Sequence, residues 1–137
     1  MKRKKIKIVL LALPILCVIF FLFTEMNIMK YLKEYSYGEE ELLQTTLVYF
    51  HLSEGFTVGN EGEYSVFIGR HSDIYEDVVG RKGYYEADRM GTTGFYNKKG
   101  EIKEEEHIFD FTITSTEDWC HWFRVYKLSD GYKIEDF

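Results

Sequence analysis

The stretch that decides the architecture of this chain is MKRKKIKIVLLALPILCVIFFLFT, residues Met1 to Thr24. Five cations stand among its first seven residues, and the segment from Ile8 to Phe23 carries no charge. A helix needs roughly 17–25 mostly apolar residues to cross the hydrocarbon core of a bilayer. The sequence therefore predicts a transmembrane helix over residues 8–24, in contact with membrane lipid, behind a basic tail of residues 1–7.

The cations around this helix predict its orientation. Lys and Arg beside a first membrane helix favour the cytoplasmic side, so we expect the tail in the cytoplasm and the C-terminal domain outside the cell membrane. A cleaved signal peptide is the alternative, but Thr24-Glu25-Met26-Asn27 offers no small-x-small cleavage site. We expect an uncleaved single-pass anchor, then a juxtamembrane stem over residues 25–36 and an extracytoplasmic domain over residues 37–137.

The charge of the outer part restricts its partners. Residues 24–137 hold all 23 acidic residues of the chain and 12 of its 17 Lys and Arg, which gives a net charge of −11. Nucleic acid binding requires a surface rich in Lys and Arg, so the composition predicts no nucleic acid partner. A protein partner or a cationic peptide is compatible with this charge.

The outer part has the material for a core but not for a disulfide. It contains 21 of the 24 aromatic residues of the chain, and each such ring can bury roughly 150–250 Å². Its one cysteine is Cys120, because Cys17 belongs to the predicted membrane helix. We therefore expect a domain that is stabilised by packing alone.

The first half of the outer domain predicts helices and one strand. Ser36 followed by Glu39 is typical of a capping box, and the apolar spacing after it predicts a helix over residues 37–52. Residues 64–68 predict a strand, and Ser72 or Asp73 is expected to cap a second short helix. Residues 84–94 favour neither structure.

The second half predicts antiparallel strands. Residues 95–100 indicate a strand and a turn, residues 102–114 alternate in part, and residues 119–128 form an aromatic run. Ser129-Asp130-Gly131 is typical of a tight hairpin that leads into a last strand over residues 132–135. The order predicts an α+β fold, in which one or two helices pack on a curved antiparallel sheet.

The C-terminal sequence resembles a known superfamily. The segment Val125-Tyr-Lys-Leu-Ser-Asp-Gly-Tyr-Lys-Ile-Glu-Asp136, with the helix placed ahead of the strands, is similar to the end of NTF2-like (cystatin-like α+β cone) domains. Members of that superfamily typically have Trp at the position of Tyr132. The resemblance implies a curved sheet around a conical pocket that serves binding, catalysis or packing alone, and it supplies no catalytic residue.

No set of residues in the sequence predicts a catalytic centre, a metal site or a cofactor. Cys120 and His121 are neighbours, and adjacent residues of a strand face opposite sides, so they are not predicted to act as a pair. His71, Asp73 and Glu76 are more typical of a helix start than of a metal site, which requires three or four ligands at defined spacing. The acidic run at residues 104–106 favours a solvated strand edge.

The best candidate for ligand binding is an aromatic group around one cation. Arg124 lies among Trp119, Trp122 and Tyr126 in the sequence, and a buried guanidinium requires a carboxylate or a bound anion. Asp110, Glu135 or an anion are the expected partners of Arg124.

The sequence thus favours a membrane-anchored, non-enzymatic binding or assembly domain. A small pocket enzyme or NTF2-like ligand-binding domain is one alternative, and an immunity-type protein that neutralises a cationic toxin is another.

Overall fold

A computed structural model describes residues 2–71, 75–105, 108–116 and 120–137, and it has an α+β fold. The chain divides into two units, Met1–Leu42 and Leu43–Phe137. The first unit is dominated by one apolar helix, and the second contains an open six-stranded antiparallel sheet with short helices.

Helix α1 spans Lys2–Glu34 and is the one described helix that is long and apolar enough to cross a membrane. Its 33 residues extend about 50 Å at 1.5 Å per residue, so it continues beyond the predicted span and includes most of the predicted stem. Two polar side chains in its second half bond back to the helix. The Thr24 hydroxyl donates to the carbonyl of Phe20 at 2.9 Å, and the Asn27 amide donates to that of Phe23 at 2.7 Å.

Ser36 ends α1 and does not begin the next helix, so the predicted capping box at Ser36 is wrong. Ser36 has a φ of 65°, and the amide of Tyr37 donates to the carbonyl of Leu32 at 2.8 Å. This is the hydrogen bonding of a Schellman motif, in which a left-handed residue closes the helix. The Gly38 amide instead donates to the Glu41 carboxylate at 2.9 Å, so the cap lies two residues later than predicted.

The second helical segment is shorter than the predicted helix over residues 37–52. A 3-10 turn at Glu39–Glu41 leads into α2, Leu42–Tyr49. His51 ends it in the left-handed region, with a φ of 62°, and the Leu52 amide donates to the carbonyl of Leu47 at 2.8 Å. A third helix, α3, spans Tyr75–Gly80, and its predicted caps Ser72 and Asp73 lie outside the described residues.

The sheet has the strand order β1-β2-β6-β5-β4-β3, and all neighbours are antiparallel. The strands are β1 (Gly55–Glu61), β2 (Tyr64–Gly69), β3 (Tyr84–Met90), β4 (Thr93–Lys98), β5 (Phe111–Ser115) and β6 (Arg124–Leu128). Strand β2 confirms the prediction for residues 64–68. Strand β3 forms one edge of the sheet, and β1 forms the other.

One face of the sheet carries a core of aromatic and aliphatic side chains. The fully buried rings of Phe67 and Phe111 lie on it, and Val78 and Val79 of α3 pack with them. The Phe67 ring stacks on Tyr126 with centroids 5.0 Å apart. The first residue of α3 packs edge-on against the rings of Phe67 and Tyr126, and α3 also contacts β3. The start of α3 therefore lies over β2 and β6, near the centre of the sheet.

The C-terminal half has less strand than predicted. Among the described residues of 102–110, none is in a strand, and Ile102 is 94% exposed. Residues 120–123 precede β6 without strand pairing. Asp130 and Gly131 do form a tight turn, with φ of 61° and 76°, but residues 132–135 do not return along β6.

A short 3-10 helix, Ile134–Asp136, replaces the predicted last strand. It covers the free edge of β1, since the Glu135 carboxylate accepts hydrogen bonds from the Thr57 amide at 2.7 Å and from the Thr57 hydroxyl at 2.6 Å. An exposed strand edge invites pairing with other chains, so this helix protects the sheet where the predicted strand would have extended a hairpin.

Candidate functional site

A cavity of about 320 Å³ lies on the core face of the sheet, beside α3. Its lining includes three tyrosines and three charged residues, which are Tyr75, Tyr96, Tyr126, Glu76, Glu86 and Arg89. Pockets that bind small ligands usually combine aromatic walls with a few polar groups. This cavity has that composition.

The Tyr75 ring enters the cavity wall because Gly69 leaves room for it. A Cβ atom at Gly69 would lie 1.6 Å from the Tyr75 hydroxyl oxygen. The Tyr75 hydroxyl accepts a hydrogen bond from the amide of Arg70 at 3.0 Å and donates one to the carbonyl of Glu54 at 3.0 Å. These bonds fix Tyr75 over the end of β2, where any residue other than glycine would displace it.

An irregularity in β3 brings Glu86 and Arg89 onto the same face of the sheet. Residues three apart in a regular strand point to opposite faces. In β3, Glu86 pairs with Tyr96 but Asp88 pairs with Phe95, so one extra residue interrupts the register. This bulge changes the alternation, and both charged side chains reach the cavity.

Glu86 and Arg89 form a two-point ion pair. Arg89 Nε lies 2.8 Å from Glu86 Oε1, and Arg89 Nη2 lies 2.6 Å from Glu86 Oε2. The Tyr96 hydroxyl donates to the same carboxylate at 3.1 Å. The hydrogen bonds from Arg89 and Tyr96 outweigh partial burial and lower the pKa of Glu86, so this carboxylate is ionised at neutral pH.

Two tyrosines of the cavity, Tyr75 and Tyr96, keep their protons. Burial raises the pKa of Tyr75, with the neighbouring Tyr126 adding to the effect. Burial also raises the pKa of Tyr96, and the charge of Glu86 raises it further. The hydroxyls therefore act as hydrogen-bond donors and acceptors across the ordinary pH range.

Gly94 lies directly beneath the Tyr96 ring and the Glu86 carboxylate. A Cβ at Gly94 would lie 2.9 Å from the Tyr96 ring and 3.0 Å from Glu86 Oε2. Gly94 pairs with Arg89 on β3 and with Ile113 on β5, so a strand lies on each side of it. A glycine there weakens a strand, and here it allows Tyr96 and Glu86 to come together.

The residues that the sequence grouped around Arg124 do not all line the cavity. Tyr126 lines the cavity, and its hydroxyl donates to the carbonyl of Arg70 at 2.6 Å. Trp122 lies outside the cavity lining, in a ring group with Tyr49, at a centroid distance of 5.0 Å, and with His121, at 5.4 Å. Trp119 lies outside the described residues.

Arg124 has neither of its two predicted carboxylate partners. Asp110 accepts hydrogen bonds from the Lys103 ammonium at 2.6 Å and from the Lys98 amide at 2.8 Å, and Glu135 is bonded to Thr57. Arg124 begins β6 beside Gly69 of β2, and its Nη2 lies 3.5 Å from Nε2 of His71. The predicted ion pairs are wrong because Asp110 lies at the opposite end of β5 from Arg124, and Glu135 lies on the 3-10 helix beside β1.

Several cavity residues gave no signal in the sequence. Glu86 and Arg89 belong to a segment whose pattern favoured neither helix nor strand, because the bulge interrupts the alternation there. Tyr75 and Tyr96 are 21 residues apart and meet only through the packing of α3 on the sheet. The signal for the cavity in the sequence was the pair of glycines at positions 69 and 94. A glycine in a strand indicates a place where another side chain lies close to the backbone, and Tyr75 and Tyr96 do so here.

The cysteines and acids of the described residues do not form a second centre. Cys120 is buried and free, and Cys17 is free on α1. Within the ranges that the structure describes, no group of three His, Cys, Asp or Glu side chains could hold a metal ion. His107 and Asp73 lie outside those ranges.

Comparison with known proteins adds no relative. No protein-family model, no curated protein and no solved structure matches the chain.

Proposed function

We propose that this chain is a single-pass membrane protein whose C-terminal domain lies outside the cell membrane and binds a cationic ligand in the cavity beside α3. Helix α1 is long and apolar enough to serve as the anchor. The five cations within its first seven residues favour a cytoplasmic N-terminus.

The observation that carries the proposal is the ion pair inside the cavity. The guanidinium of Arg89 occupies the carboxylate of Glu86 with two parallel contacts, which is the geometry that a carboxylate offers to any guanidinium. The side chain of Arg89 is 42% exposed and that of Glu86 is 19% exposed. An incoming Lys or Arg side chain can therefore exchange with Arg89 at Glu86.

The surroundings of Glu86 favour a cation over an anion. Glu76 adds a second carboxylate to the lining, and the tyrosine rings offer faces that attract ammonium and guanidinium groups. The net charge of −11 on residues 24–137 raises the local concentration of cationic ligands. An extended basic peptide, or a basic segment of a protein partner, fits these features best.

The protonation of the cavity supports binding rather than acid–base chemistry. A general acid or base works best when its pKa lies near the operating pH. Here the pKa of Glu86 is lowered, and those of Tyr75 and Tyr96 are raised. Each of these groups is thus moved away from neutrality, which suits fixed hydrogen bonding to a ligand.

Titration with trilysine tests the ligand site. The full-length protein in nonionic detergent is titrated calorimetrically with trilysine and, as a charge control, with triglutamate. We expect saturable binding of trilysine alone, weakened about fivefold or more in Glu86→Gln, since even a partly exposed ion pair contributes up to about 1 kcal/mol. Glu63→Gln removes the same charge from the exposed turn after β1 and should change the affinity less than twofold. Equal weakening by the two variants would mean diffuse attraction to an acidic surface and would refute the site.

Cysteine labelling tests the orientation. Glu63→Cys places a thiol in the exposed β1–β2 turn, and an impermeant maleimide should label it on intact cells. Lys4→Cys should react only after permeabilisation. The parent chain gives the background, because Cys17 lies in the predicted span and Cys120 is buried. The reverse labelling pattern would overturn the proposed topology without touching the cavity.

A further inference from the structure

Three buried polar side-chain atoms of the described residues have no hydrogen-bond partner. They are Nε of Arg70, Nε of Arg124 and the hydroxyl oxygen of Thr116. A buried donor without a partner costs about 1–3 kcal/mol, and native proteins contain few such groups. Each of them therefore calls for an explanation.

The topology brings all three to the same end of the sheet. Arg124 is the first residue of β6 and pairs with Gly69, the last residue of β2, so Arg70 follows directly beside it. Thr116 follows β5, and its amide donates to the carbonyl of Val125 at 3.0 Å. Residues that are far apart in the sequence thus meet where β2 and β5 end and β6 begins.

Arg70 and Arg124 are two cations at this end of the sheet. No carboxylate of the described residues forms an ion pair with Arg70 or Arg124. Arg70 Nη2 donates to the carbonyl of His51 at 3.2 Å, and Arg124 Nη2 lies 3.5 Å from Nε2 of His71. Both guanidinium groups are thus held in place while their Nε–H groups remain without an acceptor.

We propose that this end of the sheet binds a small oxyanion, a carboxylate or a phosphate, between Arg70 and Arg124. A guanidinium presents its Nε–H and one terminal N–H as a fork that matches two oxygens of such an anion. All three orphaned groups can donate, and an oxyanion supplies only acceptors.

This oxyanion site is distinct from the cation site in the cavity. None of Arg70, Arg124 and Thr116 is among the residues that line the cavity. The negative charge of the domain repels anions at long range, so recognition at this end must rest on short, directed hydrogen bonds. Phosphate should therefore outcompete chloride at equal ionic strength.

Thermal unfolding of the full-length protein in nonionic detergent tests the proposal. Sodium phosphate and sodium acetate are each compared with sodium chloride at matched ionic strength. A ligand that binds only the folded protein raises the free energy of unfolding by RT ln(1 + L/Kd), where L is the free ligand concentration, so the melting temperature rises with the logarithm of the ligand concentration above Kd. We expect such a rise with phosphate, with acetate, or with both, beyond any effect of chloride, and the better probe identifies the class of oxyanion.

Two variants separate a specific site from a general salt effect. Arg124→Gln should weaken binding of the better anion about tenfold or more, because hydrogen bonds to charged groups contribute more than neutral ones. Arg81→Gln removes the same charge from an arginine that pairs with Glu54 and is 57% exposed, and it should leave the affinity unchanged. Because Arg124→Gln could alter folding, Arg124→Lys serves as a second variant that keeps the charge but loses the fork, and it should also weaken binding.

Three results would overturn the proposal. One is a melting temperature of the parent protein that neither anion raises above its value in chloride at matched ionic strength. The second is an equal loss of affinity in Arg124→Gln and Arg81→Gln, which would indicate a diffuse response to charge. The third is full retention of affinity in Arg124→Lys, since a point charge would then suffice. The cavity proposal is independent of these outcomes, because it is tested with trilysine on Glu86.

Discussion

Arg89 and Arg124 occupy opposite situations in the same sheet. Arg89, at the β3 edge, has both a carboxylate partner and solvent access. Arg124, at the start of β6, has a buried Nε without a partner and no ion pair among the described residues. The paired Arg89 marks a carboxylate that a ligand cation can bind in its place, whereas the buried Nε of Arg124, which has no partner, marks a place for an anion.

Gly69→Ala should have the largest effect, because Gly69 connects the two regions. The new methyl group would overlap the Tyr75 hydroxyl, which bonds to the amide of Arg70. Expelling Tyr75 costs packing and two hydrogen bonds, so we expect a loss of about 3 kcal/mol in the free energy of unfolding. Gly59→Ala is the matched control, since no atom lies within 4 Å of its Cβ position. Equal stability of the two variants in denaturant unfolding would show that Tyr75 is not fixed as described.

Gly94→Ala should have an intermediate effect, confined to the cavity. Its Cβ would press on the Tyr96 ring and on Glu86 Oε2 at 2.9–3.0 Å, and both side chains can shift at a cost of about 1–2 kcal/mol. Trilysine binding should weaken, while phosphate binding near Arg124 stays unchanged. Weaker binding of both trilysine and phosphate would mean that the two sites are not independent.

Acid should destabilise the domain through its bonded carboxylates. Hydrogen bonds from Arg89 lower the pKa of Glu86. At Asp110 and Glu135 burial acts in the opposite direction, but hydrogen bonds from Lys103 and from Thr57 outweigh it.

A lowered pKa means that the folded domain binds fewer protons than the unfolded chain. The stabilisation is therefore complete above the ordinary carboxyl pKa values of 3.8 and 4.5 and is lost as the pH falls through the folded values. We expect the melting temperature to fall below about pH 4.5 and to fall less steeply in Glu135→Gln. A parallel decline in both proteins would contradict the role of Glu135 at the β1 edge.

Arg89→Ala should have the smallest effect on stability and should strengthen binding. A partly exposed ion pair contributes about 0.2–1 kcal/mol, so the free energy of unfolding should fall by no more than about 1 kcal/mol. In this variant Arg89 no longer competes with the ligand for the Glu86 carboxylate, so the affinity for trilysine should rise about two- to fivefold. Calorimetric titration with trilysine measures this affinity. Weaker binding in Arg89→Ala would mean that Arg89 contacts the ligand instead of competing with it.

The sequence predicted the parts of the fold that depend on local composition. Helix α1 follows from an uninterrupted apolar run, and β2 follows from its β-branched and aromatic residues. The turns at Gly100 and Gly131 follow from residues that tolerate positive φ, and both have it. The resemblance to NTF2-like domains stays a prediction.

The errors arose where tertiary packing decides the structure. Alternation over residues 102–114 predicted a long strand, but Ile102 is exposed and pairing begins only at Phe111. The last residues form a 3-10 helix because Glu135 bonds to Thr57 across 78 positions of sequence. The cavity depends on the β3 bulge and on the packing of α3, and neither is visible in local periodicity.

A crossed titration tests whether the C-terminal domain has a cation site at Glu86 and an oxyanion site at Arg124. The full-length protein, Glu86→Gln and Arg124→Gln are each titrated with trilysine and with the better oxyanion under the same conditions. We expect Glu86→Gln to weaken the binding of trilysine alone, and Arg124→Gln to weaken the binding of the oxyanion alone. Two variants that weaken both ligands equally, or neither, would contradict it.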